Sequence, residues 1–199
     1  MTKYEFTTDM FSANAEKWND IRTHLKQNFG DNLHCIDVGS FEGQSAMYMS
    51  DNLIGDNGSL TIIDLGNKIK TLYKNILASN KSKQIVTFIG DSVEMLPKLL
   101  SDKEKYHFIY IDAGKNSCDN LTNLLIAERL LVVNGVVIVD DYNTEMRKWP
   151  KKEMRLNPKL GVDLFLQVTL LCEPYDLTGY QAIIIKTKDN KSIKVNNTI

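Results

Sequence analysis

Short apolar runs alternate with amphipathic segments along most of the chain. Five such runs predict buried strands, over about residues 33–38, 60–64, 84–89, 106–111 and 136–139. Between them, apolar residues recur every three or four positions, which predicts helices over about 43–53, 67–79, 93–101 and 121–131. Fully apolar strands separated by helices are typical of a parallel sheet covered on both faces. The pattern therefore predicts an α/β fold.

The two ends of the chain add further elements. Apolar positions from Phe11 to Phe29 predict an N-terminal helix over about 8–29, and Gly30 ends it. Val162, Phe165 and Leu166 begin a last helical pattern, and residues 173–187 predict two strands. Neither a linker nor an internal repeat interrupts the sequence, so we expect one domain over 1–199.

Acidic residues follow the predicted strands at corresponding points. One lies at or just beyond the end of each strand: Asp37, Asp64, Asp91, Asp112 and Asp140. In an open parallel sheet, ligands bind beside the carboxyl ends of the strands. The five acids therefore predict a binding site along that edge.

The turn after the first strand reads D-x-G-x-x-x-G, from Asp37 through Gly39 to Gly43. Glycine allows a sharp turn and a close approach of the backbone to a ligand. A dinucleotide turn has the spacing G-x-G-x-x-G, and a carboxylate before it would repel a pyrophosphate. The same carboxylate would attract an ammonium group, which S-adenosylmethionine carries.

This turn resembles motif I of class I S-adenosylmethionine-dependent methyltransferases, and the form Gly-Ser-Phe-Glu-Gly-Gln-Ser-Ala is similar to that of the Methyltransf_24 family and of catechol O-methyltransferase-like enzymes. Gly90-Asp91-Ser92 and the strand-end acids strengthen the resemblance, which extends over about 10–187. It implies a three-layer αβα Rossmann-like fold, with a seven-stranded, mostly parallel sheet and one antiparallel strand inserted near the C-terminus.

The resemblance also implies contacts to S-adenosylmethionine. Asp37 would lie near the methionine ammonium, Ser45 would bind its carboxylate, and Asp64 would bind the ribose. The remaining predicted cofactor residues are Gly39, Ser40, Phe41, Gly43, Leu65, Asp91, Ser92 and Asp112.

Catechol O-methyltransferase-like enzymes bind a divalent ion with acids that end strands four and five, and a lysine acts as base. By resemblance, Asp112, Asp140 and Asp141 would bind Mg²⁺ or another hard cation, and Lys115 with Asp112 would be catalytic. The sequence departs from both patterns. Asp141 stands where the catechol-type enzymes have Asn, and no histidine follows strand four as it commonly does in Methyltransf_24.

These departures leave alternatives to O-methylation of a small hydroxylated acceptor. One is a metal-independent sugar or N-methyltransferase, and another is an inactive S-adenosylmethionine-binding protein. An NAD(P)-dependent oxidoreductase is disfavoured by the glycine spacing and by Asp37. Residues 142–160 hold six Lys or Arg against two Glu and predict a loop over the site. That loop either steers an anionic acceptor or is a solvated surface.

Composition narrows the class of partner. Net charge is −1, which indicates neither nucleic acid nor an anionic membrane as partner. No apolar run approaches the length of a spanning helix, and the first residues lack the pattern of a signal peptide. The three cysteines lie far apart in the sequence and match no metal or disulfide pattern. We therefore expect a cytoplasmic protein with a small-molecule acceptor, and homo-oligomerisation stays open.

Overall fold

The computed structural model describes residues 3–101, 106–114, 116–143 and 157–189. Seven strands form one sheet: β1 His34–Val38, β2 Ser59–Asp64, β3 Ile85–Ile89, β4 Tyr106–Ile111, β5 Leu131–Val139, β6 Cys172–Asp176 and β7 Ala182–Lys186. Their order across the sheet is β3-β2-β1-β4-β5-β7-β6. The first five strands pair in parallel, and β7 is antiparallel to both of its neighbours. The predicted sheet with its one inserted antiparallel strand is confirmed.

Within these ranges, six α-helices connect and cover the strands: α1 Ala15–Phe29, α2 Gln44–Asn52, α3 Ile69–Ala78, α4 Ser92–Met95, α5 Ser117–Leu130 and α6 Pro158–Val168. Short 3-10 turns occupy Ser12–Asn14, Ser82–Gln84 and Leu96–Ser101. Trp18, Met47 and Leu72 of α1, α2 and α3 are buried in one hydrophobic cluster with residues of the central strands. Leu124 of α5 and Phe165 of α6 belong to a second cluster. The result is three layers with the carboxyl ends of the parallel strands at one edge.

Three predicted boundaries were wrong. The N-terminal helix begins at Ala15 rather than near residue 8, because the preceding backbone is bonded to side chains from distant parts of the chain. β5 begins at Leu131 and includes the predicted Asn134-Gly135 turn as an irregularity, where Asn134 has a φ of 67° and the register with β4 shifts.

The helix predicted over 93–101 is instead the single turn α4 followed by a 3-10 turn that contains Pro97. Proline lacks the N–H that would continue the α-helical ladder. Lys115 and most of the predicted loop over 142–160 lie outside the described residues. The assignment of one domain over 1–199 stays a prediction.

Candidate active site

The glycine turn lies between the ends of two neighbouring strands. Gly39 donates its N–H to Ile63 O at 2.8 Å and has a φ of 92°. A Cβ at this position would lie 2.3 Å from the backbone oxygen of Asp112, far inside van der Waals contact. Only glycine therefore lets the β1 turn pack against the end of β4. Gly43, with a φ of 93°, precedes α2 and packs against Leu72.

Asp37 lies beneath this turn and is fully buried. Its Oδ2 accepts hydrogen bonds from the hydroxyls of Ser40 at 2.6 Å and Ser45 at 2.8 Å. Its Oδ1 has no partner among the described residues. Burial raises the pKa of Asp37 to about 6, the two serine bonds lower it in part, and the Asp64 carboxylate raises it. The site thus contains a buried acid with an unmet capacity to accept a hydrogen bond.

Asp64, at the end of β2, is held by backbone amides on both carboxylate oxygens. Phe41 N donates to Oδ2 at 2.8 Å, and Gly66 N donates to Oδ1 at 2.6 Å. Phe41 adopts a φ of 52°, which a residue with a side chain rarely does. The carboxylate therefore stabilises the glycine turn, and each of its oxygens retains a second lone pair for a ligand.

Asp91 and Ser92 form the start of α4. Asp91 is the N-cap and accepts a hydrogen bond from Val93 N at 3.1 Å. The buried hydroxyl of Ser92 accepts one from Asn123 Nδ2 of α5 at 2.9 Å. These contacts fix the β3–α4 turn against α5.

The strand ends enclose a cavity of about 590 Å³. Seven predicted cofactor residues line it: Gly39, Phe41, Asp64, Leu65, Asp91, Ser92 and Asp112. A smaller adjoining cavity of about 50 Å³ is bordered by Ser40 and Ser45. Asp37 and Gly43 line neither cavity and lie behind the turn.

Asp112 borders both of these cavities and also a third, narrow one beside Asp140 and Asp141. Its backbone N–H donates to Val38 O at 2.7 Å, which fixes the end of β4 to the end of β1. Asp112, which follows β4, thus lies between the glycine turn and the two acidic residues that follow β5, Asp140 and Asp141.

The three predicted metal ligands do border that third cavity, but their carboxylates have other partners. Asp140 Oδ1 accepts a hydrogen bond from Gln181 Nε2 at 2.7 Å, and Asp141 accepts one from the hydroxyl of Tyr180. Within the described ranges, no group of three or more His, Cys, Asp or Glu side chains is arranged to hold a metal ion. The metal site at Asp112, Asp140 and Asp141 therefore stays a prediction.

Tyr110 of β4 adds a phenol to this region. It lines the smaller cavity and is almost fully buried. Burial raises the pKa of Tyr110 well above its ordinary value, and the carboxylates of Asp112, Asp140 and Asp37 raise it further. The phenol is therefore protonated near neutral pH and can serve as a hydrogen-bond donor.

The N-terminal segment before α1 also contributes to the site, which the sequence did not indicate. Glu42, next to the glycine turn, accepts bonds from Thr7 N at 2.7 Å and Thr7 Oγ1 at 2.8 Å. Gln44 Oε1 accepts one from Met10 N at 2.7 Å. Met10 consequently borders both the larger and the smaller cavity.

Residues of the β4–α5 loop were missed as well. Ala113, Gly114, Asn116 and Asp119 line the larger cavity. Asn116 caps α5 by accepting a bond from Asp119 N at 2.8 Å. A capping asparagine three residues before an acid is a signal in the sequence that could have located this wall.

The methyltransferase domain model Methyltransf_24 matches residues 36–142, more than half of the chain. The chain belongs to the Methyltransf_24 family. The match begins within β1 and runs past the acids that follow β5, so it includes the carboxyl ends of all five parallel strands. The predicted class I methyltransferase is thereby confirmed at the level of the family. A search of curated proteins found no match.

Solved structures of methyltransferases share the fold of this family member. An O-methyltransferase from Bacillus cereus in complex with S-adenosylhomocysteine superposes with a TM-score of 0.69 at 17% identity, over 91% of this chain and 84% of the other. TomG, an O-methyltransferase from Streptomyces achromogenes involved in tomaymycin synthesis and solved with S-adenosylmethionine, gives 0.68 at 14% identity, over 88% and 87%.

MycE, from the mycinamycin biosynthetic pathway and in complex with Mg and S-adenosylhomocysteine, gives a TM-score of 0.65 at 12% identity. The match covers 94% of this chain and 53% of that one. At these identities the likeness establishes the fold. In the described parts of the methyltransferase, no helix has both the length and the apolar character needed to cross a membrane.

Proposed function

We propose that this methyltransferase binds S-adenosylmethionine in the larger cavity and transfers its methyl group to a hydroxyl of a small molecule. The observation that carries the proposal is that the glycine turn and three strand-end acids, Asp64, Asp91 and Asp112, line one cavity. The two neighbours solved with S-adenosylhomocysteine and the one solved with S-adenosylmethionine support the choice of cofactor.

Two features of the turn fit this cofactor. Gly39 lets the turn pack directly against the backbone of Asp112, so that both residues line the larger cavity. The unpartnered Oδ1 of buried Asp37 carries negative charge behind the turn, which suits the ammonium group of the methionine part. The cavity lining includes Asp64, whose free lone pairs can accept the ribose hydroxyls.

When bound, S-adenosylmethionine supplies an electrophilic methyl group. Its methyl group would pass to the acceptor oxygen, with S-adenosylhomocysteine as the leaving group. Asp112 borders all three cavities and therefore lies where donor and acceptor would meet. The proposed role of Asp112 is to orient the acceptor hydroxyl. Lys115 is the proposed base, which takes up the proton of that hydroxyl. Most of the acceleration would come from the alignment of donor and acceptor.

The first test is calorimetric titration with S-adenosylhomocysteine, with and without Mg²⁺. We expect one binding site for S-adenosylhomocysteine per chain. Asp64→Ala should abolish binding. Asp56→Ala should retain it, because Asp56 is an exposed acid at the opposite edge of the sheet. Absence of binding to the folded wild type under both conditions would overturn the proposal.

The second test is transfer of a labelled methyl group to a panel of hydroxylated acceptors that includes 3,4-dihydroxybenzoate. Transfer to oxygen supports the proposal, and transfer to nitrogen of an amine acceptor contradicts the O-methyl assignment. Binding of S-adenosylhomocysteine without transfer to any acceptor would indicate a cofactor-binding protein without activity. A chelator that abolishes transfer would restore the metal site as the better reading of Asp112, Asp140 and Asp141.

A further inference from the structure

A buried polar chain runs from α1 to the end of β5. The indole Nε1–H of Trp18 donates to Gln181 Oε1 at 3.0 Å, and Gln181 Nε2 donates to Asp140 Oδ1 at 2.7 Å. Trp18 and Gln181 are each 1% exposed. We propose that Trp18 and Gln181 act as a positioning pair that fixes the Asp140 carboxylate at the acceptor side of the site. This inference rests on the proposed function.

The register of the sheet places Gln181 beside Asp140. β5 and β7 are antiparallel, and Val139 pairs with Ala182. The next pair outward, beyond the end of β5, is therefore Asp140 and Gln181. The inserted antiparallel strand thus brings a side chain from near the C-terminus to an acid at the parallel strand ends.

Trp18 determines which way the Gln181 amide faces. An indole is a donor only, so the amide oxygen must face Trp18 and the amide NH₂ must face the carboxylate. The reverse orientation would oppose two donors at one end and two acceptors at the other. Because both residues are buried, such mismatches would not be relieved by water. The indole, 163 residues from Gln181 in the sequence, therefore makes that side chain direct a donor at Asp140.

A second set of contacts holds the same carboxylate from β4. The Trp18 ring packs edge-on against Tyr110 with ring centroids 4.8 Å apart, and against Phe108 at 5.1 Å. Tyr110 in turn lies near Asp140, whose carboxylate raises the pKa of the Tyr110 phenol. The chain thus constrains the direction of Asp140, which borders the narrow cavity together with Asp112. A fixed direction for this acid matters for methyl transfer, since small misplacements of an orienting group reduce the rate steeply.

The test compares Trp18→Phe, which keeps an aromatic ring and removes the N–H, with Gln181→Met, which keeps length and removes the amide. The matched controls are Tyr48→Phe, which removes a hydroxyl from the same aromatic cluster, and Gln84→Met at the far edge of the sheet. For Gln181→Met we expect kcat to fall about tenfold, the scale of one buried hydrogen bond to a charged group. The affinity for S-adenosylhomocysteine should stay within about twofold, because its pocket is untouched.

The double variant distinguishes one continuous series of hydrogen bonds, from Trp18 through Gln181 to Asp140, from two independent structural effects. If Trp18 acts through Gln181, the Trp18→Phe/Gln181→Met double variant should be no slower than Gln181→Met alone. Three outcomes would each overturn the proposal. One is a loss of kcat matched by an equal loss of S-adenosylhomocysteine affinity, another is an unchanged kcat, and the third is a loss of kcat in the double variant equal to the sum of the two single losses.

A spectroscopic readout tests the chain independently of any acceptor. The protein has two tryptophans, so the amide spectrum of the full chain should contain two indole N–H signals. Asp140→Asn should shift the Trp18 indole signal and the Gln181 side-chain amide signals, whereas Asp56→Asn should not. Unshifted signals would overturn the chain. Signals that shift as expected in Asp140→Asn, together with a wild type that transfers no methyl group, would instead contradict the proposed function, and with it the catalytic purpose of the pair.

Discussion

The carboxylate of Glu42 accepts two hydrogen bonds from Thr7, one from its backbone N–H and one from its hydroxyl. Glu42 belongs to the turn between β1 and α2, and it also forms an ion pair with Lys68 at 3.4 Å. The turn that we assign to the cofactor is therefore the same element that holds the N-terminal segment. Asn75 of α3 reinforces this link by donating to the carbonyl oxygens of both Glu5 and Glu42 at 2.9 Å.

We predict that Thr7→Val weakens cofactor binding although Thr7 lies outside the larger cavity. The substitution leaves one oxygen of the buried Glu42 carboxylate without its hydroxyl donor. The turn should loosen, and the dissociation constant of S-adenosylhomocysteine should rise about three- to tenfold, the value of one hydrogen bond. Calorimetry measures the change.

Thr23→Val is the matched control, because it removes a hydroxyl bond on the exposed face of α1. Equal effects of the two substitutions on affinity would show that the N-terminal segment has no particular link to the cofactor turn.

A second prediction compares two glycines of similar backbone conformation. Gly39 has a φ of 92° and Gly30 a φ of 77°, so alanine is strained at both positions. The added Cβ would collide with Asp112 at position 39 and would meet nothing within 4 Å at position 30. Gly30→Ala should cost about 1–3 kcal/mol of unfolding free energy, because its backbone conformation strongly favours glycine, and should leave affinity unchanged. Gly39→Ala should weaken S-adenosylhomocysteine binding at least about tenfold, since the turn must move.

Denaturant unfolding of both variants measures the cost of the strained backbone conformation. Calorimetry with S-adenosylhomocysteine measures the additional effect of the collision between the new Cβ and Asp112. Comparable affinity in Gly30→Ala and Gly39→Ala would remove the argument that the turn needs its close contact with β4.

The sequence predicted the strand ends well because each strand is an apolar run that stops at an acid. Tyr106–Ile111 was predicted without error, and the other parallel strands within one residue apart from β5. The local pattern of apolar positions and turn residues contains this information. It also predicted that Gly39, Asp64, Asp91 and Asp112 share one edge, because parallel strand ends must do so.

The contacts that hold side chains in place could not be predicted in this way. The segment before α1 has apolar residues at helical spacing, but its backbone is bonded to Glu42, Gln44 and Asn75 instead. The partners of Asp140 and Asp141, Gln181 and Tyr180, lie about 40 residues away, just before β7. Such pairings depend on register across the sheet, which no local pattern contains.

Asp37 gives a pH dependence to cofactor binding. Its pKa in the folded protein is raised to about 6 from an ordinary value of 3.8. Its contribution to folding stability is therefore fully present below pH 3.8 and is lost as the pH rises through 6, by an amount on the order of 3 kcal/mol. A bound ammonium group would favour the ionised acid, so the affinity for S-adenosylhomocysteine should fall as the pH is lowered through about 6.

Asp37→Asn should remove this dependence while keeping an oxygen that accepts bonds from Ser40 and Ser45. We expect weaker binding at pH 8 and an affinity that changes little between pH 5 and 8. Titrations at several pH values, in wild type and variant, provide the measurement. A wild type whose affinity is flat across pH 6 would argue against Asp37 as the partner of the ammonium group.

His107 should produce a pH effect of opposite sign on folding stability. Its Nδ1 accepts a hydrogen bond from His34 N at 2.9 Å, and the two rings stack with centroids 5.5 Å apart. Burial lowers the pKa of His107 below its ordinary 6.5, and the charge of His34 lowers it further. The folded state thus disfavours the protonated ring. The contribution of His107 is fully present above pH 6.5 and is lost as the pH falls through 6.5 toward the lowered value.

His107→Asn keeps an acceptor near the position of Nδ1 and cannot be protonated in this range. In denaturant unfolding, the wild type should lose stability between pH 7 and 5.5 and the variant should lose less. His24→Asn, a histidine replacement on α1, is the control and should follow the wild type. Protonation of Asp37 stabilises the fold as the pH falls in the same interval, and this opposes the loss of stability caused by His107. The effect of His107 should therefore be clearest in an Asp37→Asn background. Equal pH slopes in Asp37→Asn and in Asp37→Asn/His107→Asn would refute a role for His107.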